Sequence, residues 1–580
     1  MYVLGLNAVF HESAACLIKD GKLVAFVEEE RFNRIKHGKQ AREDNADDLP
    51  MQSIQFVLDQ AGIGLDEVAH IGYSATPEKF RQRVQALHNG VRDPQWPDPA
   101  ELEPFWQALA RIPEKLAALG FAGKFHWVDH HAAHAASAYY VSPFQEAAIL
   151  AIDGTGEKDT AIGYYGQGNS LTEVLAVPFP SSLGFLWEVV SIFLGFDVYD
   201  AAKIMGLAAY GDPQRFIQEF RQIIQPLPDG TFHMDNDLIR IGWLRYYPPS
   251  AYCAGLEELL NVPQRIPGAK LNADHHDIAA AIQGLTDEIV MHMVNQLHAK
   301  TGSANLCLAG GVALNCVSNS FAFEEGPFSN LYVQPAAHDG GTAIGAAYYI
   351  WNHLLDQQSR DVMDHAYWGP AYSDSEIEAQ LQAQGLRYRC TENLEQEVAQ
   401  LISEDNIVAF FQGRMEAGPR ALGNRSLLAN PRNRHLRDLL NAKVKHREYF
   451  RPLAPSVLAE EAEAWFTIKK PTSAADFMLM TYPVQEHARA KIPAVIHEDG
   501  SSRIQAVRQA TNPRYHRVIS EFYKLTGVPL VMNTSFNDSE PIVCSPQDAI
   551  HTFMKTEIDY LAIGNFIVCK AENRQQGVAL

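Results

Sequence analysis

One pattern occurs twice in the first third of the chain, and it constrains the fold more than any other feature. VLGLN (3–7) and AACLI (14–18) read as strands, a KDG turn (19–21) follows, and KLVAFVEEE (22–30) resumes the apolar run. Asp-Gly between two apolar runs is a hairpin signal, because these residues tolerate positive φ. About 145 residues further on the order returns: AILAIDGTG (148–156), TAIGYYG (160–166), a GNS turn and LTEVLAVPF (171–179). A duplicated unit with a small-polar turn after its first strand predicts two like halves facing one phosphate cleft.

Such a duplication is similar to the architecture of actin, sugar kinases and heat-shock ATPases. Ile278, Ile282, Leu285, Ile289, Met293 and Leu297 fall at spacings of three and four and predict a helix over 274–298, feeding a strand at 305–311. Residues 77–122 hold Pro-bounded helical stretches with Trp96 and Trp106, read as an insertion that shapes substrate specificity. With 580 residues the chain exceeds one core. The pattern loosens over 355–375, so the expected domains are 1–360 and 361–580. The second is read as a helix near 374–384 and strands at 406–413, 528–533 and 560–568.

The net charge is −21, which disfavours a dedicated nucleic-acid or anionic-membrane binder. Seven widely spaced cysteines without C-x-x-C fit reduced thiols. The N-terminus lacks a basic, then apolar, leader, and no apolar run approaches the ~20 residues of a membrane helix. The expectation is a cytoplasmic protein.

Four features carry chemistry. In DHHAAHAASAYY (129–140), His130 and His134 are i and i+4 and share a helix face. By itself that pair is equally two helical histidines making hydrogen bonds. Asp153 after the next strand and Asp339 in AAHDGGTAIGAA extend it to two His plus two Asp, a set suited to Fe(II), Zn or Mn. His131 points elsewhere, toward substrate or behind the ligands. DGTG (153–156), AGG (309–311) and DGG (339–341) are glycine turns whose backbone can approach phosphate, although no Walker A motif or G-x-G-x-x-G is present. Residues 414–451 carry ten Lys/Arg against three Asp/Glu, read either as a solvated helix face or as an anion site for a triphosphate or an acyl phosphate. MNTSFN (532–537) adds hydroxyls and amides at a strand end, where such sites tend to lie. Finally, His11 in the first strand turn is read either as an ordinary turn residue or as a catalyst, since it occupies the position in the first repeat that faces the DGTG turn of the second, and Lys36 lies in EEERFNRIKHG (28–38).

FHESAA, EEERFNRIKHG, DHHAAHAASAYY, DGTGE, KIMGLAAYG, GGVALNC, HDGGTAIGAA, GPRALGNRS, KVKHREYFRPLAPSV and NTSFN, in this order, make the chain resemble the O-carbamoyltransferase family. That family includes nodulation-factor carbamoyltransferases and those of aminoglycoside and other antibiotic pathways. The resemblance implies an N-terminal actin-like α/β domain like the tRNA threonylcarbamoyl-transferase, holding a metal that is typically iron. It also implies a C-terminal YrdC-like α/β domain. There carbamoyl phosphate and ATP, with Mg, form carbamoyl-adenylate, and the first domain passes the carbamoyl group to a small-molecule hydroxyl.

Carried onto this sequence, His130, His134, Asp153 and Asp339 would hold the metal, and His11 and Lys36 would flank the acceptor. Gly154, Thr155, Gly310, Gly311 and Asn315 would border the nucleotide, while Arg420, Lys443, Arg451, Arg503 and Ser535 would bind carbamoyl phosphate and ATP. The resemblance admits a homodimer. Many relatives carry an acid two places before Lys203, where this chain has Ala201. The rival readings are a tRNA-modifying enzyme on the same fold pair, against which the acidic charge speaks, and a nucleotide-gated binding module of the heat-shock type.

Overall fold

A computed structural model describes residues 1–40, 42, 44–90, 100–239 and 249–574 of the chain. Trp96 lies outside the described residues. The chain divides into a first unit, Met1–Glu30 with His37–Met363, and a second, Arg31–Lys36 with Asp364–Leu580.

Each half of the first unit builds the same sheet. Strands β1 (Tyr2–Asn7), β2 (Ala14–Lys19), β3 (Lys22–Glu28), β4 (Val68–Tyr73) and β5 (Lys124–Trp127) take the order β3-β2-β1-β4-β5. A second set is β6 (Glu146–Ile152), β7 (Asp159–Gln167), β8 (Ser170–Pro178), β11 (Asn305–Ala309) and β12 (Asn330–Val333), in the order β12-β11-β6-β7-β8. Between β8 and β11 a small separate hairpin pairs β9 (Ile224–Pro226) with β10 (Phe232–Met234). In both five-stranded sheets the first three strands are antiparallel, and the first, fourth and fifth run parallel. One topology used twice is the duplicated actin-like fold. The first hairpin turns at Asp20 (φ 52°) and Gly21 (φ 82°), as an Asp-Gly turn requires.

Two short helices rich in small residues lie in the interior and set up the site. His130–Tyr139 is buried along its whole length and packs against Thr342–Tyr348, which is buried as well. A Cβ on Gly345 would stand 1.7 Å from the Ala133 carbonyl oxygen, and one on Gly5 of β1 would stand 1.9 Å from that of Ala343. The helix Thr342–Tyr348 is thus pressed on one side against a strand and on the other against a helix. Only glycine fits at either contact. The long helix Ala273–Thr301 extends past the 274–298 span read from its periodicity and ends at Gly302 (φ 65°).

The second unit holds a mixed eight-stranded sheet. Its strands are β13 (Arg389–Cys390), β14 (Val408–Phe411), β15 (Arg425–Ala429), β16 (Ala454–Leu458), β19 (Gln505–Val507), β20 (Leu530–Ser535), β21 (Tyr560–Ile563) and β22 (Phe566–Cys569). Their order is β13-β22-β21-β14-β15-β20-β16-β19. A two-stranded ribbon joins β17 (Thr481–Pro483) to β18 (Ser501–Arg503). The single strand expected over 560–568 is instead a hairpin: Gly564 at φ 57° reverses the chain, and β21 pairs antiparallel with β22. The Gly564-Asn565 pair that interrupts the apolar run is the turn signal that marks it.

Arg31–Lys36 joins this unit although it sits early in the chain. Arg31 is buried and donates to the Gly418 carbonyl at 2.8 Å; Arg34 donates to the carbonyls of Ile542 and Pro541 at 2.7 and 2.6 Å. Phe32 packs on Met415, Ile542 and Cys544. Among the described residues no helix is long and apolar enough to cross a membrane.

Candidate functional site

Four predicted ligands converge in the first unit. His130 Nε2 lies 3.0 Å from Asp153 Oδ2 and 3.1 Å from His134 Nε2. His134 Nε2 is 3.4 Å from Asp153 Oδ2, and Asp339 Oδ1 is 3.5 Å from both imidazoles. One donor atom from each residue falls within 4.8 Å of the others. Two histidines come from one helix face, Asp153 from the end of β6 and Asp339 from the turn before Thr342–Tyr348. The two glycine contacts therefore fix the distance between ligand-bearing segments. Two imidazole nitrogens and two carboxylate oxygens so disposed suit a borderline divalent cation. Burial disfavours the His130 imidazolium, but the Asp339 and Asp153 carboxylates outweigh it and raise its pKa well above the ordinary range.

His131 lies behind this cluster. Its ring presses on Gly156, where a Cβ would meet Nδ1 at 2.3 Å, and burial with the neighbouring His130 and His134 lowers its pKa to about 3.

Two acids near the cluster were not singled out in the sequence. Glu157 accepts the His130 N–H with both oxygens at 2.9 Å and the Thr76 N–H at 2.9 Å, so it caps the ligand helix in place of Asp129. Burial pushes it up to about 7. Glu188, the lone acid in LGFLWEVVSIF, is pushed up to about 8 by burial and by Asp153 and Asp339. A single carboxylate in an apolar helix is the signal that would have found it.

His11 reaches the same place. Its Nδ1 lies 4.0 Å from Asp339 Oδ2, and its ring meets Tyr199 edge-on at 5.5 Å. Asn7 at the end of β1 donates to the carbonyls of His11 (3.2 Å) and Glu12 (2.9 Å). Ser74 donates to Asn7, and Thr342 to Ser74, which ties the His11 turn to the segment carrying Asp339. Glu12, held at φ 55°, bonds His37 Nδ1 at 2.6 Å. Lys36 is exposed and belongs to the Arg31–Lys36 segment of the second unit.

The glycine turns do meet. The Gly311 N–H donates to Asp153 Oδ1 at 3.3 Å, and Gly310, at φ 85°, lies so close to β6 that a Cβ would stand 2.2 Å from the Ile152 oxygen. Gly154 leaves room for the Phe185 ring, and its carbonyl accepts from Ser182. Thr155 Oγ1 accepts from Arg83, which also donates to the Gly156 carbonyl. Asn315 caps the helix Cys316–Glu324 and donates to Gln283. Lys203, two places after Ala201, pairs with Asp200 at 2.8 Å.

In the second unit the basic island divides by role. Arg425 is a brace: fully buried, it donates to the carbonyls of Gln412, Gly413 and Pro370 and covers the Phe411 ring at 3.7 Å. Lys443 is exposed, and Lys445 is buried against Ser535. Its Nζ donates to the Ser535 carbonyl at 2.5 Å and hydroxyl at 3.1 Å, and to the Asn537 carbonyl at 2.9 Å. Burial together with Arg447 and Arg451 lowers the Lys445 pKa well below the ordinary range, against the pull of Asp538 and Glu540. Burial, Arg451 and Arg503 bring Arg447 down to about 9. Cations gathered this closely disfavour their own charge until an anion joins them. Arg420, Arg451 and Arg503 are half-buried.

The profile described as Carbamoyltransferase N-terminus matches residues 2–348, and that described as Carbamoyltransferase C-terminus matches 399–570. The chain belongs to the carbamoyltransferase family. This carbamoyltransferase is 36% identical to nodulation protein NolNO of Sinorhizobium fredii, over 97% of this chain and 80% of that protein. It is 38% identical to an uncharacterized Synechocystis protein, over 99% of this chain and 98% of the relative. Component A of the Acidaminococcus fermentans (R)-2-hydroxyglutaryl-CoA dehydratase aligns at 15% identity and a TM-score of 0.34, over 60% of this chain and 97% of that one. The enzyme transfers carbamoyl groups.

Proposed function

We propose that this carbamoyltransferase is ATP-dependent and carbamoylates a hydroxyl of a small molecule, probing two chemistries in two units. The cationic cluster of buried Lys445 with half-buried Arg447, Arg451 and Arg503, Lys445 bonded to Ser535, carries the proposal. It is a site for phosphate-bearing substrates, carbamoyl phosphate and ATP. Carbamoyl phosphate, ATP and water there give carbamoyl-adenylate, phosphate and pyrophosphate: water releases phosphate and leaves carbamate, whose oxygen attacks the α-phosphorus as pyrophosphate departs. The cluster's donors orient both phosphates and take up the charge of the leaving groups. A YrdC-like role for this unit is part of the same reading.

The first unit then transfers the carbamoyl group to the acceptor oxygen and releases AMP. His11 removes the acceptor proton, oriented by its turn and by Asp339. His130, His134, Asp153 and Asp339 would hold a divalent metal, iron in this reading, which supplies Lewis-acid polarisation when bound. Gly154, Thr155, Gly310, Gly311 and Asn315 border the adenylate. The deciding experiment follows ATP in purified enzyme with and without carbamoyl phosphate, before any acceptor is added. AMP and pyrophosphate that form only with carbamoyl phosphate are expected. ADP as the product, or no dependence on carbamoyl phosphate, would sink the proposal.

A further inference from the structure

His497 stands just before β18 in the second unit and is absent from every role assigned above. Its N–H donates to the Ser501 carbonyl at 2.8 Å and the Gly500 N–H returns to its own carbonyl at 3.0 Å, so a tight turn folds the imidazole over Ser501. Its Nδ1 lies 3.1 Å from Ser501 Oγ. The Ser501 hydroxyl proton is already committed, since Oγ donates to Asp499 Oδ1 at 2.7 Å and a carboxylate offers only lone pairs. Ser501 Oγ therefore accepts, Nδ1 carries the proton, and in the neutral ring Nε2 is left as a bare lone pair. Burial, opposed by Asp499 and reinforced by Arg503, holds the imidazole pKa down to about 4, so the ring is neutral.

That lone pair is buried and has no hydrogen-bond partner among the described residues; neither has the Nε–H of Arg503. Side chains two apart on a strand share a face, so Arg503 follows Ser501 on the side to which His497 is tied. An acceptor and a donor, each buried and unused and close enough to feel one another's charge, call for a ligand that offers the complementary pair. Carbamoyl phosphate does so: its amine is its only strong donor, next to a carbonyl acceptor. Arg503, which acts on the His497 charge, belongs to the cluster of Lys445, Arg447 and Arg451; these are all donors and cannot receive an amine, and Ser535 Oγ already accepts from Lys445.

We infer that His497 recognises the carbamoyl amine through Nε2 and so selects carbamoyl phosphate over acyl phosphates of the same shape. The inference rests on the proposal that the cationic cluster binds carbamoyl phosphate. Acetyl phosphate, with a methyl group in place of the amine, is the control. Formation of AMP and pyrophosphate is measured with each donor in wild-type enzyme and in His497→Phe, His497→Gln and Ser501→Ala, alongside thermal melts. In His497→Phe, kcat/KM for carbamoyl phosphate should fall about tenfold or more through KM, with the acetyl phosphate value unchanged. His497→Gln, whose amide oxygen can stand near the Nε2 position, should retain most of the preference. Ser501→Ala, which frees the tautomer without touching the ring, should lower the preference even if the phenylalanine variant fails to fold. A ratio unchanged in all three variants, or equal losses with both donors, would overturn the inference. Wild-type enzyme that makes no AMP from carbamoyl phosphate would overturn the functional proposal instead.

Discussion

Individual side chains in this carbamoyltransferase reach their task through one or two fixed hydrogen bonds. The His11 imidazole depends on Asn7, which pins the carbonyls of His11 and Glu12 and so aims the ring at Asp339. His11→Asn should reduce carbamoyl transfer by about a hundredfold or more while AMP and pyrophosphate formation continues. Equal loss of both half-reactions would show that His11 is not the acceptor's base. Asp287 is a second case. It accepts from Ser318 Oγ (2.6 Å) and Gln283 (2.8 Å), yet burial pushes its carboxyl up to about 6 from an ordinary 3.8. A raised carboxyl pKa means that the folded state holds its proton longer than the unfolded chain. The associated destabilisation is absent below pH 3.8, grows as pH rises toward 6 and is complete above it. Asp287→Asn keeps an acceptor oxygen and removes the charge. It should stabilise the protein by about 1–2 kcal/mol at pH 8 and hardly at all at pH 4, read from urea melts at the two pH values.

At the level of elements, the proposed metal site depends on how closely two helices can approach. His130–Tyr139 supplies two ligands, and the segment leading into Thr342–Tyr348 supplies a third. Gly345 sets their spacing against Ala133. A methyl group there must push a helix backbone aside, so Gly345→Ala should cost about 1–3 kcal/mol and spread the ligands. Metal analysis after reconstitution should then show a lower metal content than in wild-type protein treated alike. Wild-type metal content with an unchanged melting temperature would mean that the helices have slack at this contact. The two sheets are less demanding: each repeats one strand order, and their hairpin turns are encoded locally.

For the molecule as a whole, the division into units does not follow the order of the chain. Arg31–Lys36 lies between β3 and the His37 turn in sequence but packs with the second unit, through buried Arg31 and through Phe32 on Met415, Ile542 and Cys544. Phe32→Ala should therefore destabilise the second unit by about 2–3 kcal/mol while sparing the first. Scanning calorimetry should show the loss in one transition, with the melting of fragments assigning it. A loss in the other transition would contradict the packing.

Much of this could be read from residue order because it rests on short-range physics. Strand alternation and an Asp-Gly turn revealed the repeat, and i, i+4 spacing on a helix paired His130 with His134, since both depend on backbone geometry within a few residues. Asp153 and Asp339 were recognisable because each follows an apolar run at a glycine turn. Other features were settled only by contacts between distant segments. The place of Lys445 against Ser535, 90 residues further along the chain, is one such contact. Likewise Glu157 became a helix cap only when its loop came against His130, and Glu188 acquired a raised pKa only beside Asp153 and Asp339. The sequence alone determined the duplicated sheets and the ligand types, because turns and periodicity are local. Only tertiary structure decided which charges are buried together, because burial and Coulomb interaction depend on distance in space rather than along the chain.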